Sequence, residues 1–159
     1  MKIKNAKLVF LGVSCALLLT AVFGFSGCST TGSNPALLAL AQAGVTEGAS
    51  LGTADLIKSN PSYRPDFVLA DNVLTTLSTG TNIITSASIQ AVLTQAGETN
   101  ATVSSIITSG LAVADQYLAQ VSVSNPNSVY LEAVGWLATG INEGLSSSLP
   151  ALKAKYHAR

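Results

Sequence analysis

Apolar residues follow two regimes along this chain. From Leu8 to Phe25 nearly every position is apolar and none is charged. Past Gly27 they thin to a helical rhythm, recurring three and four apart. Pro35, one residue after Asn34, suits the first turn of a helix, where a missing N–H costs nothing. That helix is expected to run to about Lys58, with Leu37, Leu38, Ala41, Val45 and Leu56 on one face and Gly44, Gly48 and Gly52 four apart on the same face. Asn60-Pro61 and Arg64-Pro65 make a tight connection. A second helix, from near Pro65, buries Phe67, Ala70, Leu74 and Leu77 and stops at Gly80. The third spans Ser86 to Ala96, with Ile89, Val92, Leu93 and Ala96 inward and Gly97 as its C-cap. Asn100 caps a fourth, whose stripe is Val103, Ile106, Ile107, Gly110, Leu111, Ala114, Tyr117, Leu118 and Val121. Asn125-Pro126 ends it. The fifth runs from about Ser128 to Ser147 on Leu131, Val134, Leu137, Ala138, Ile141 and Leu145, and Leu149-Pro150 is expected to close it. Period-2 alternation appears only at Val121–Ser124, too short for a sheet. The pattern predicts an all-α fold: a compact bundle of about five amphipathic helices over residues 35–149.

The segment ahead of the bundle reads as an export signal. Lys2, Lys4 and Lys7 precede the apolar run, which ends in small residues rather than in a basic stop-transfer cluster. Its last residues, Phe25-Ser26-Gly27-Cys28, resemble the lipobox of bacterial lipoproteins, with Phe25 in place of the usual aliphatic residue. The resemblance implies a lipoprotein signal peptide over residues 1–27, cut before Cys28, and acyl chains on that cysteine as the contact with the membrane. Two or more chains give stable anchoring. Ser29, where Asp would favour inner-membrane retention in enteric bacteria, points to the outer membrane, facing the periplasm. Residues 28–34 are then the lipidated cysteine and a Ser/Thr/Gly tether, and residues 150–159 a basic tail. Cys15 lies inside the apolar run, and cutting there would leave too short a stretch.

Removing the signal changes the charge. Five basic residues (Lys58, Arg64, Lys153, Lys155, Arg159) remain against eight acids, a net of −3. This balance speaks against nucleic acid as a partner, which wants a basic face. No cysteine besides Cys28 remains, so no disulfide can form within the processed chain.

Gly44-Val45-Thr46-Glu47-Gly48 and Gly140-Ile141-Asn142-Glu143-Gly144 share one pattern, one copy in the first helix and one in the last. Glycine costs about 1 kcal/mol in a helix interior, so close backbone approach is the expected gain. Gly44, Gly48, Gly52, Gly140 and Gly144 therefore mark the place where the first and last helices should cross. The stripe also resembles the glycine zippers of some membrane proteins, which implies as an alternative an oligomer assembling in the bilayer.

Catalytic chemistry finds little to build on. His157 is the one histidine, and the acids Glu47, Asp55, Asp66, Asp71, Glu98, Asp115, Glu132 and Glu143 are scattered. No EF-hand, P-loop or dinucleotide fingerprint occurs. The expectation is no catalytic residue, no metal and no cofactor. Trp136, with Glu132 and Glu143 opposite the apolar stripe of the fifth helix, is a candidate contact face for an envelope protein or cell-wall partner. The basic tail offers electrostatic contact with anionic wall or lipid, and a solvated end is the simpler reading. The expected function is that of a non-enzymatic, membrane-anchored structural or interaction module.

Overall fold

Asn60 shows how the chain turns its first corner. Its N–H closes the first helix on Leu56 O at 2.8 Å, and its side-chain oxygen accepts from Ser62 N at 3.3 Å and Ser62 Oγ at 2.8 Å. Pro61 contributes no donor, so a single 3-10 turn, Pro61–Tyr63, leads straight into the next helix. The computed structural model describes residues 35–80, 84–120 and 125–157. They form five α-helices and no strand: α1 (Pro35–Ser59), α2 (Arg64–Ser78), α3 (Ser86–Gln95), α4 (Ala101–Gln120) and α5 (Pro126–His157). Residues 1–34, which carry the expected export signal, Cys28 and tether, lie outside the described residues, as do 81–83, 121–124 and 158–159.

Local chemistry sets the other helix ends. Thr85 and Ser88 form a reciprocal capping box at α3, each side-chain oxygen accepting the other's backbone N–H, at 3.2 and 2.8 Å. Gly97, with φ +98°, ends α3 in a Schellman turn: Glu98 N bonds Leu93 O at 2.9 Å and Gly97 N bonds Thr94 O at 3.1 Å. Asn100 caps α4 through Thr102 N at 3.0 Å. Asn125 does the same for α5 through Asn127 N at 3.1 Å, so Pro126 opens that helix as well as ending the segment before it.

The most extensive helix contact joins α1 to α5, and α2 also packs along α5. Arg64 lies beside Leu145, Asn142 bonds Asp71, and Ser78 lies by Gly135, so α2 runs antiparallel to α5. α4 is antiparallel to both long helices, with Ile106 against Gly52 and Leu137 against Gly110. The main core gathers Ile57, Phe67, Leu74, Ile89, Leu93, Ile107, Leu111, Leu137 and Ile141. A second cluster at the start of α1 and α5 holds Ala114, Tyr117, Val129 and Ala133, with Leu37, Leu38 and Trp136 against it.

Three expectations change. Val92 and Ala96, expected inward on α3, are exposed, because this ten-residue helix seats only Ile89 and Leu93 in the core. The buried face of α1 is Ala41, Val45, Ala49, Thr53 and Ile57, an unbroken row at spacing four, whereas Leu56, Leu37 and Leu38 are only partly covered. Residues small enough to admit α5 define that face, and hydrophobicity alone does not mark it. Pro150 does not close α5, which continues to His157. Proline there removes the bond to the Ser146 carbonyl and crowds that carbonyl, a cost that the helix absorbs without ending. The turn before it is held from outside: Arg64 donates to Leu145 O at 3.0 Å and to Ser148 Oγ at 3.2 Å, and Ser148 Oγ donates to Leu145 O at 2.7 Å.

Candidate functional site

Gly140 and Gly144 sit where α5 meets α1 most closely. A Cβ on Gly140 would lie 2.8 Å from Ala49 Cβ, and one on Gly144 would lie 2.6 Å from Thr53 Cβ. Real Cβ atoms do not approach that near, so only hydrogen fits. The glycines of α1 are placed differently. Gly52 turns to α4, 3.2 Å from Ile106 Cδ1 by the same measure. Gly48 has nothing within 4 Å, and Gly44 is exposed. The row that receives α5 is instead Ala41, Val45, Ala49 and Thr53, offset by one position from the glycine line. Both rows step by four, the ridge set that interdigitates when helices pack ridge into groove. Thr53 is fully buried there, with its hydroxyl without a hydrogen-bond partner.

The proposed contact face on α5 is divided. Glu132 and Glu143 are exposed, but Trp136 is half-buried and packs against both hydrophobic clusters. Its backbone carbonyl accepts from Thr46 Oγ1 at 3.5 Å. Trp136 therefore spends much of its apolar surface inside the bundle, and the two carboxylates stand apart from one another along the helix. Cys28, with Phe25, Ser26 and Gly27, lies outside the described residues.

Sequence reasoning passed over a second site, at the α3–α4 corner. The Schellman turn at Gly97 folds the following residue back toward Leu93, a slot usually filled by an apolar side chain. Here it holds Glu98, which is 3 % exposed. Glu98 Oε1 accepts the Asn100 N–H at 2.7 Å, and Oε2 has no hydrogen-bond partner. The Asn100 amide Nδ2 donates to Asp66 Oδ2 at 2.6 Å. Asn100 thus serves two carboxylates while its Oδ1 caps α4. Burial raises the Glu98 pKa, the Asn100 N–H lowers it in part, and the Asp66 charge raises it further. A glycine C-cap followed directly by an acid was the one signal available.

A third polar junction ties three helices at the surface. The Tyr130 hydroxyl of α5 donates to Asp115 Oδ1 of α4, and Ser86 Oγ of α3 donates to Asp115 Oδ2 at 3.2 Å. The bond to Asp115 raises the Tyr130 pKa, with burial and the Asp115 charge acting in the same direction and Ser86 opposing. Among the described residues, no group of three or more His, Cys, Asp or Glu side chains is placed to hold a metal ion. No described helix is long and apolar enough to cross a membrane. The Glu98 and Asp115 junctions join elements through donors from the chain itself. The chain matches no known family model, no curated protein and no solved structure.

Proposed function

We propose that this chain is a lipoprotein of the bacterial cell envelope, anchored by acyl chains on Cys28, whose helical bundle is a non-enzymatic structural or interaction module. The observation that carries the reading is Phe25-Ser26-Gly27-Cys28 at the end of an uncharged apolar run that follows three lysines. Its supports are the place where helix begins and the way the polar groups are used. α1 starts at Pro35, seven residues past Cys28, which leaves a short tether between lipid and domain. The polar side chains of the Glu98 and Asp115 junctions are used to bind one element to another. Ser29 after the cysteine favours the outer membrane, with the bundle in the periplasm. Labelling cells with an alkyne fatty acid tests the reading. Label should appear on the wild-type chain and vanish with Cys28→Ala, and blocking the lipoprotein signal peptidase should accumulate the longer precursor. An unlabelled wild-type chain would sink it.

A second reading, glycine-zipper-like self-association, draws on one line of α1. Leu40 is 44 % and Leu51 72 % exposed, and between them lie exposed Gly44 and the open Cβ position of Gly48. Helices pair closely along such lines. Sedimentation of the wild-type chain beside Leu51→Glu tests it: a wild-type oligomer that the charge dissolves supports association through α1, and a monomer in both refutes it.

A further inference from the structure

The α3–α4 corner turns on one buried side chain. Between the two helices Ala96, Gly97 and Thr99 are exposed, Asn100 is half-buried, and Glu98 alone is buried. α3 itself seats only Ile89 and Leu93 in the core. The backbone N–H groups of Gly97 and Glu98 bond carbonyls of α3, so they do not tie the corner to the rest of the bundle. The link outward runs through side chains. Glu98 Oε1 accepts the Asn100 N–H, and Asn100 Nδ2 donates to Asp66 Oδ2 in the first turn of α2.

The two carboxylates of this corner sit in unlike places. Asp66 is half-buried at the N-terminus of α2, where the helix dipole suits a negative charge. Glu98 is 3 % exposed, and its Oε2 is buried without a hydrogen-bond partner. A charged oxygen so placed is costly, and a proton on it removes the charge. Among the described residues, the charge that acts on Glu98 is Asp66, and it favours the neutral form. α3 carries no titratable residue, and α4 carries none before Asp115. At the α1–α2 corner Asp55 and Lys58 are exposed, Tyr63 packs against the core, and Arg64 donates to Leu145 and Ser148 of α5.

We propose that Glu98 is a proton-operated latch: with its carboxyl neutral the corner lies closed beside α2, and its ionisation releases residues 96–100 while the rest of the bundle stays folded. The proton comes from solvent and returns to it. A closed corner holds that proton more tightly than an open one, in which Glu98 meets water. The ratio of closed to open corner therefore falls as pH rises, by up to about tenfold per pH unit where one proton separates the two forms. Release is local because the large core residues Ile57, Phe67, Leu74, Ile107, Leu137 and Ile141 all lie on the other four helices. Segments with few buried apolar contacts are the ones that open on their own. The latch stands without the envelope reading of the chain. That reading gives it a use, since a compartment that exchanges small ions with the medium takes the medium's pH.

Hydrogen exchange of the full chain in a neutral detergent, followed by NMR from about pH 5 to 8 and corrected for intrinsic exchange, tests the latch. The Gly97, Glu98 and Asn100 amides should lose protection by up to about tenfold per pH unit, ahead of the Leu137 and Ile141 amides of the core. In Glu98→Gln, which is neutral throughout, the same amides should stay protected across the range. Asp66→Asn removes the charge that favours the neutral form, so it should move the loss to lower pH. Corner amides that exchange together with the core at every pH overturn the proposal, as does an onset that neither variant moves. Closing of the corner by millimolar calcium at the upper end of the range also overturns it, because the two carboxylates would then hold a metal ion in place of a proton.

Discussion

Gly140 of α5 presses against the Thr46 carbonyl of α1 so closely that no side chain fits between them. Gly140→Ala and Gly144→Ala should each destabilise the bundle by about 1–3 kcal/mol, the cost of overpacking a filled contact. Gly48→Ala meets open space. It should instead gain about 0.5–1 kcal/mol from helix propensity. Urea denaturation of the three variants checks both signs, and stabilisation by Gly140→Ala would contradict the close crossing.

The buried Glu98 carboxyl gives the bundle a pH dependence of definite sign. Its pKa is raised in the folded chain, so folding binds the proton more tightly. The associated stability is fully present below the unfolded carboxylate range and is lost as pH rises through the raised folded value. Glu98→Gln should flatten this part of the profile. Near neutral pH it should gain stability rather than lose it, since the amide removes a charge that burial disfavours. Thermal melts from about pH 4 to 8 read both effects, and an unchanged pH slope in the variant would count against the assignment.

Asn100 joins a helix cap to two carboxylates. Asn100→Ala should cost about 2–3 kcal/mol, combining the lost cap with the donor lost by Asp66. Asn100→Asp keeps a capping oxygen but sets a third carboxylate beside Asp66 and Glu98. Its deficit should therefore shrink in acid, whereas that of Asn100→Ala should not. Parallel melts at two pH values separate a cap from an electrostatic junction.

Tyr130 should titrate above a free phenol because its hydroxyl donates to Asp115. Spectrophotometric titration of the folded chain should show this, and Asp115→Asn should bring the value back toward about 10. Because the junction is exposed, Tyr130→Phe should cost no more than about 1 kcal/mol. A larger loss would mean that the junction is buried more deeply than its geometry indicates.

Four of the five helices were legible because their stripes carry large aliphatic residues at helical spacing. Phe67, Leu74, Ile89, Leu93, Ile107, Leu111, Leu137 and Ile141 are all buried where periodicity put them. α1 was harder to read. Its inward row is Ala, Val, Ala, Thr and Ile, while Leu51 faces out, so hydrophobicity pointed partly the wrong way. The shared glycine pattern named the right pair of helices, but only the glycines of α5 lie in their contact. Pro150 looked like a stop because a proline inside a helix is costly, and the Arg64 contacts on the preceding turn come from a residue far away in sequence. Glu98 looked like one loop acid among several. Its burial follows from the turn geometry at Gly97, which composition does not register.

The pairing of α1 with α5 also has a consequence in time. Thr46 and Trp136, which meet across it, are 90 residues apart in sequence. A chain made from its N-terminus produces α1 first and the partner of α1 last. α2, α3 and α4 can form and collapse early, but the Ala41–Thr53 row stays uncovered until Gly140 and Gly144 arrive. Contacts of such long separation close slowly, because the loop entropy comes due before the contact rewards it. Chains shortened before Gly140 should accordingly be sticky, incompletely ordered species, and completion of α5 is the step that commits the bundle.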